Sequence, residues 1–448
     1  MHNALSAVEA ARKIRAGTLS SVALVKACLA RIDETDGQLK AWAHLDREHA
    51  LDQAEEMDAI RRAGRPVGPL HGVPVGLKDI IDTADFPTER GTPVFSGRRP
   101  SSDAALVERL REAGAVILGK TVTTEFAFMH PAETRNPHNP EHSPGGSSSG
   151  SAAAVAAYQV PLAIGTQTNG SVIRPAAFCG TYGFKPTRGV VSRRGVLRTS
   201  RSLDQVGVFG RSLEDVALLA DAIGGYDQSD ELCYARPRPR MLEGSRAEPS
   251  MAPDLVWPDL PFNDRLSGDA RAGLDEVLDA LGARVERIAV SENLAELVDV
   301  HRVIQEYEIC HHLEREFAEH WDMLSATLQA TVERGRTIGE AQYEEALEIM
   351  ASGSAFFAEF FKDYDAVIAP SAAGEAPEFG GGTGDPIFCT IWTLCGLPSL
   401  SLPLLVGERA LPVGVQLIGA AEEDDRLLRT ANWMLKELQS DTTPEEGG

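Results

Sequence analysis

No stretch of the 448 residues approaches the ~18 consecutive apolar side chains that a membrane-spanning helix takes. The opening MHNALSAVEAARK also lacks the apolar core of about 7–15 residues found in secretory leaders. Both absences predict a soluble, cytoplasmic protein. Cysteine is sparse: Cys28, Cys179, Cys233, Cys310, Cys389 and Cys395 are scattered with no C-x-x-C pair. That fits reduced thiols better than a disulfide framework or a zinc site. Positive charge is short as well, since 43 Lys and Arg against 66 Asp and Glu leave a net charge of -23. Such a surface argues against nucleic-acid or anionic-membrane partners, and the arginines of 184–201 read as a solvated loop. The histidines lack metal spacing. His138 and His142 fall in a Pro-rich loop, His311 and His312 point to different sides of a helix, and neither pair resembles H-E-x-x-H.

What is present is an α/β rhythm. Hydrophobic residues at 43% and charged residues at 24% suit a globular chain of one large or two ordinary domains. Val22, Val25, Leu29 and Ile32 share a helical face that Ser20 or Ser21 can cap. AALVERLREA (104–113) reads as helix, Gly114 ends it, and AVILG (115–119) reads as a buried strand. SAAAVAAY (151–158) and VPLAIG (160–165) repeat the pattern. From Tyr226 to Pro258 the chain is rich in Pro, Arg, Ser and Glu and reads as a connection. Residues 268–361 read as mostly helical, YDAVIAPS (364–371) and LPVGVQLIG (411–419) as strands, and a closing helix carries Leu427, Leu428, Ala431, Met434, Leu435 and Leu438. No internal repeat is visible. The expectation is one domain over 1–448: a central mixed β-sheet covered by helices on both faces, with a helical insertion.

Three stretches invite chemistry. In LHGVPVGLKDIID (70–82), Lys78 ends an apolar run. It can snorkel to water or pair with Asp79, or it can be a desolvated amine acting as a base. SPGGSSSGSAAAVAA (143–157) runs from Gly and Ser into a helix and can hold an anion or oxyanion, or simply link and cap. Gly146-x-Ser148-x-Gly150 fits a nucleophile elbow without the strand before it, and Gly145-x4-Gly150 a phosphate loop without its Lys-Ser/Thr pair. In GTQTNGSVIRPAAFCG (165–180), Ser171 follows a strand at a turn with free N–H groups. It can be a helix cap or a nucleophile beside an oxyanion hole.

Taken together, GVPVGLKD, PGGSSSGS and TNGSVIRPA resemble, in order, the motifs of the amidase-signature hydrolases. The resemblance extends to GFKPTRGVVS (183–192), SLDQVGVFGRSLEDVALL (202–219), YDAVIAP, CGLPSLSLP and LPVGVQLIG, and is weakest over about 226–365. It implies a catalytic core over about 60–225 and a variable helical region over about 260–361. It also implies a Ser–cis-Ser–Lys triad in which Ser171 is the nucleophile, Ser147 follows a cis peptide and relays the proton, and Lys78 is the base. Backbone N–H groups of Thr168, Asn169, Gly170 and Ser171 would hold the oxyanion, with no metal or organic cofactor. The implied reaction is hydrolysis of a small or aryl amide, or of an ester, anilide or carbamate as a urethanase does, by a monomer or homodimer. Two alternatives remain: the A subunit of a tRNA-dependent amidotransferase, acting as a glutaminase, and a non-catalytic binding descendant. The common family pattern is G-T/S-D-T-G-G-S-I-R-x-P. Here Gln167 replaces the aspartate, Asn169 replaces a glycine, and Arg174 stands three residues after the serine instead of two. Asparagine tolerates a positive φ, whereas Gln167 loses a charge and puts a supporting contact in doubt. The shifted arginine resembles the malonamidase-like branch and implies that Arg174 grips a substrate carboxylate, or else braces the loop. The acyl and leaving-group pockets are expected in the variable middle and in loops near Ile391, Trp392 and Cys395.

Overall fold

The computed structural model describes residues 2–440. Eleven strands form one sheet: β1 (Trp42–Leu45), β2 (Pro74–Lys78), β3 (Val116–Thr121), β4 (Leu162–Gln167), β5 (Tyr182–Lys185), β6 (Gln205–Gly210), β7 (Leu255–Asp259), β8 (Val285–Ala289), β9 (Ala366–Pro370), β10 (Ser399–Val406) and β11 (Pro412–Ile418). Before β4 come helices α1 (Ala7–Ala16), α2 (Ser21–Leu39), α3 (Arg47–Arg62), α4 (Ala105–Glu112) and α5 (Ser149–Ala156). Next are α6 (Ile173–Cys179), α7 (Leu213–Ile223), α8 (Met241–Gly244) and α9 (Gly268–Leu281). The remainder are α10 (Glu296–His312), α11 (Glu314–Glu319), α12 (Ala326–Gly335), α13 (Glu340–Phe360), α14 (Ile387–Leu394) and α15 (Asp424–Ser440).

The strand order is β1-β3-β2-β4-β6-β5-β10-β11-β9-β7-β8. β2 runs parallel to β3 and β4, β9-β7-β8 are parallel at the other edge, and the strands between are antiparallel. Side chains alternate between two apolar layers with the strand period of two. Ile117, Leu162 and Ile164 enter one core, while Val116, Leu118 and Ala163 enter the other. A strand buried on both faces reads as a continuous apolar run. VILG and LAIG therefore signal strands without polar alternation. The fold is the expected single mixed α/β domain, with helices over both faces. No helix among the described residues is long and apolar enough to cross a membrane. All six cysteines are buried and unpaired.

Local signals hold where the chemistry is strong. Ser20 caps α2 by accepting from Ala23 N–H at 3.1 Å, whereas the Ser21 hydroxyl donates to Gly72 O. Gly114 follows α4 at φ +80°, a backbone state that suits glycine. The 226–258 connection is the first correction, since its end is the inner strand β7, and Pro258 made that end look like a loop. The helical middle also hides β8, an edge strand whose VERIA sequence is largely exposed. Residues 387–394 near Trp392 form the buried helix α14 in place of a loop.

Gly150 in α5 shows how closely the layers approach. A Cβ there would lie 2.2 Å from Ala41 O and 2.4 Å from Val122 N, both backbone atoms. Gly150→Ala is expected to lose about 1–3 kcal/mol in denaturant unfolding, as overpacked cores do.

Candidate active site

Lys78 is the last residue of β2, and Gln167 the last of the neighbouring parallel strand β4. The carboxyl ends of parallel strands are where open α/β sheets build their sites. Lys78 is fully buried, and its Nζ donates to Ser147 Oγ at 2.7 Å and to Thr166 Oγ1 at 2.8 Å. Burial holds its pKa well below the ordinary lysine range, only partly offset by the negative charge of Asp204. Of the alternatives open to this lysine, snorkelling to water is excluded by its burial, and Asp79 faces Lys120 at 3.2 Å instead of pairing with it.

Two other lysines are equally buried, and their partners separate them from Lys78. Lys120 Nζ meets the Asp79 carboxylate, Thr88 Oγ1 at 2.6 Å and Pro87 O at 3.2 Å. Lys185 Nζ donates to Gln205 Oε1 and Leu397 O, each at 2.6 Å, and to Pro186 O at 3.2 Å. Carbonyl and amide oxygens only accept, so Lys185 is bonded as an ammonium even though burial lowers it to about 7. Lys78 alone among the three meets only hydroxyls, which can donate back to a neutral amine. The surroundings thus single out the one buried lysine able to accept a proton from its partner.

Ser147 follows a cis peptide, Gly146–Ser147, the only one among the described residues. Its neighbours correct the expectation of an anion cradle. Ser148 Oγ donates to Thr166 O, Ser149 Oγ to Gly145 O, and Ser151 Oγ to Ile164 O. These hydroxyls fasten α5 to β4 and to its own entry loop, and Ser147 is the one that meets Lys78.

Ser171 lies half-buried in the turn between β4 and α6, and its side chain has no hydrogen-bond partner among the described residues. The structure thus joins Lys78 to Ser147 and leaves the Ser171 hydroxyl free of both. The turn around it is firmly held. Gln167 Oε1 accepts from Val172 N–H at 2.8 Å and Ile173 N–H at 3.0 Å, and its Nε2 donates to Thr393 Oγ1 at 2.9 Å. The amide therefore supplies the contact that the missing aspartate put in doubt. Asn169 is not at positive φ, which removes the reason given for its tolerance, and its Oδ1 accepts from Thr390 Oγ1 at 2.8 Å. Thr168 Oγ1 donates to Asp204 Oδ1 at 2.6 Å.

Arg174 is buried. Its Nη2 donates to Gly146 O at 2.7 Å and Thr383 Oγ1 at 3.1 Å. Its Nη1 lies 3.3 Å from where a Cβ on Gly170 would stand. The guanidinium therefore braces the loop of Ser147 against the turn of Ser171. Its Nε and Nη1 have no protein acceptor among the described residues. Burial lowers its pKa to about 10, so it stays cationic at neutral pH.

One residue was overlooked in the sequence. His301 on α10 approaches Thr168 O with its Nε2 at 2.8 Å. Its only signal is its place in the buried stripe of Leu297, Val300 and Ile304, where a histidine reads as core. Trp392 packs edge-on against Phe357 and lines an apolar cavity of about 660 Å³, while Thr390 and Thr393 of the same helix hold the turn.

A family model described as Amidase matches residues 23–428. The A subunit of glutamyl-tRNA(Gln) amidotransferase from Salinispora arenicola is 35% identical over 475 residues, covering 95% of this chain and 96% of the relative. Its counterpart of the same description from Streptomyces coelicolor is 36% identical, covering 95% and 94%. Among solved structures, a chain from the vestigial protein complex that reveals the origins of an s-triazine catabolic enzyme superposes with TM-score 0.91. It is 29% identical and covers 96% of this chain and 98% of that one. Native peptide amidase from Stenotrophomonas maltophilia gives TM-score 0.83 and 31% identity, covering 97% of each.

A lysine can serve as a base only as the neutral amine, which gives a proposed base at Lys78 a definite sign of pH dependence. Activity is expected to fall on the acid side, by about tenfold per pH unit once Lys78 is protonated. The inflection should lie below the ordinary lysine range. Lys78→Met should abolish turnover, whereas Lys185→Met should cost about 1–3 kcal/mol in stability through unpaired oxygens. Its acid limb should stay where it was in a pH–rate profile.

Proposed function

The chain belongs to the amidase family, and on that footing we propose that it hydrolyses an amide C–N bond through an acyl-enzyme on Ser171. The observation that carries this is the 2.7 Å contact between the desolvated Lys78 and Ser147, with hydroxyls as the amine's only hydrogen-bond partners among the described residues. Neutral Lys78 takes the Ser147 proton as Ser147 takes that of Ser171, and Ser171 Oγ attacks the carbonyl carbon. The oxyanion gathers on the N–H groups of Thr168, Asn169, Gly170 and Ser171. Its collapse breaks the C–N bond while Lys78, through Ser147, returns the proton to the departing amine. Water then attacks the ester carbonyl as the same relay removes its proton, and collapse breaks the bond between the acyl carbon and Ser171 Oγ, releases the carboxylic acid and returns that proton to Ser171. No metal or organic cofactor takes part.

The substrate is a small molecule: a small or aryl amide, with esters, anilides and carbamates within reach of the same acyl chemistry. We assign Arg174 a second role beside its bracing one, as in the malonamidase-like branch. Its two N–H-bearing nitrogens without acceptors, close to Gly170, suit a carboxylate on the acyl group. The enzyme acts in the cytoplasm as a monomer or homodimer, without nucleic-acid or membrane partners.

A second reading has specific support. The curated relatives at 34–36% identity are described as the A subunit of glutamyl-tRNA(Gln) amidotransferase, matched over nearly their full length. On that reading the acyl donor is glutamine and the ammonia passes to partner proteins.

Ammonia or amine release across glutamine, aliphatic and aryl amides, dicarboxylic monoamides and carbamates separates the readings. A fluorophosphonate is expected to label Ser171 in folded protein, with labelling and turnover lost in Ser171→Ala. Failure to label would favour a binding descendant. Glutaminase activity with co-purifying partners would favour the amidotransferase reading. Arg174→Ala is expected to slow all amides through the lost bracing and acidic amides further; an equal loss for acidic and neutral amides rules out carboxylate recognition.

A further inference from the structure

The turn after β4 is held through its carbonyl oxygens, and each holder comes from a different helix. Thr168 O faces His301 Nε2 of α10 at 2.8 Å, and Asn169 O accepts from Thr393 Oγ1 of α14 at 2.5 Å. Gly170 O accepts from Arg174 N of α6 at 2.9 Å. All three peptides are trans, the one cis bond among the described residues being Gly146–Ser147. In a planar trans peptide the C=O of one residue and the N–H of the next point in opposite directions. Fixing the carbonyls of Thr168, Asn169 and Gly170 therefore turns the N–H groups of Asn169, Gly170 and Ser171 away from α10, α14 and α6. Among the described residues none of those three N–H groups donates to a protein acceptor. They are held in place and left free.

We infer that His301, from the helical region, is a positioning residue that aims the Asn169 N–H at the developing oxyanion by fixing the Thr168 carbonyl. The inference rests on the acyl-enzyme reading above and extends it to a helix outside the three motifs. A carbonyl can only accept, so the imidazole donates its Nε2–H. Burial keeps the ring neutral by lowering its pKa to about 4, which leaves that tautomer in place at neutral pH. Asp204 accepts from the Thr168 hydroxyl, so the residue is held through its side chain and its carbonyl together. A donor aimed in advance acts where charge develops and adds little to substrate binding, so its loss should appear in kcat.

The test compares His301→Phe, which keeps bulk and loses the donor, with His301→Gln, whose amide can still donate. The substrate is the best amide found for the wild-type enzyme. In the Phe variant kcat is expected to fall about 10- to 100-fold with KM within about twofold, somewhat less than the loss of a whole oxyanion donor. His301→Gln should recover most of the rate. A peptide or aryl aldehyde, which forms a tetrahedral oxyanion adduct, should lose affinity for the Phe variant by the same factor as kcat. The binding of the carboxylic acid product should not move. Thr393→Val, which removes the next carbonyl holder, provides an independent variant should His301→Phe not fold by thermal melting, and it should show the same split between kcat and KM. Unchanged kcat in a folded Phe variant overturns the inference, as do equal losses of aldehyde and product binding. If wild-type protein neither turns over an amide nor labels at Ser171, the acyl-enzyme reading itself has failed.

Discussion

The ammonium of a lysine is poorly tolerated away from water, and most buried lysines recover the loss by pairing with charge or with several oxygen acceptors. Lys78 does neither. It stands at the end of a strand buried on both faces, with two hydroxyls in reach, and Asp204, the carboxylate whose charge acts on it, is already bonded to Thr168, Thr199 and Ser200. Those surroundings favour the uncharged amine, and an uncharged amine touching Ser147 is what the proposed acyl-enzyme chemistry on Ser171 calls for. Much of the local architecture serves to maintain this. α5 is made of small residues and lies against β4 and β2, Ser148 and Ser151 fasten it, and Gly150 admits the backbone of Ala41 and Val122.

The turn that carries Ser171 is held from several sides at once. Gln167 caps α6 from within the motif, Arg174 connects the turn to the Gly146 carbonyl, and Thr390 and Thr393 reach it from α14. His301 brings in α10. A turn secured through its carbonyl oxygens keeps its N–H groups available, which is the electrostatic preorganisation that amide hydrolysis needs. The helical region is therefore joined to the turn that carries Ser171 by a hydrogen bond as well as by packing.

The sequence carried the parts of this that depend on local rules. The apolar runs at β3 and β4 identified buried strands, Gly114 the end of α4, and Ser20 a cap, because each follows from sterics or from one hydrogen bond. The three motifs placed Lys78, Ser147 and Ser171 in a single candidate site. What stayed hidden depends on distant neighbours. β7 carries a proline, and β8 is an exposed edge strand whose sequence looks like polar helix surface. Gln167 looked like a loss because its compensation lies on Thr393, 226 residues away. His301 looked like core because only the fold brings α10 against Thr168.

The central claim is that Lys78 is a neutral amine at working pH and meets Ser147. NMR titration of protein carrying 13C at the lysine Cε positions, with Lys78→Met to assign the signal, reads it directly. The account predicts that the Lys78 signal titrates well below the other lysines and that its midpoint coincides with the acid limb of amide hydrolysis. A Lys78 signal that stays protonated into the ordinary lysine range while the enzyme is active would contradict it.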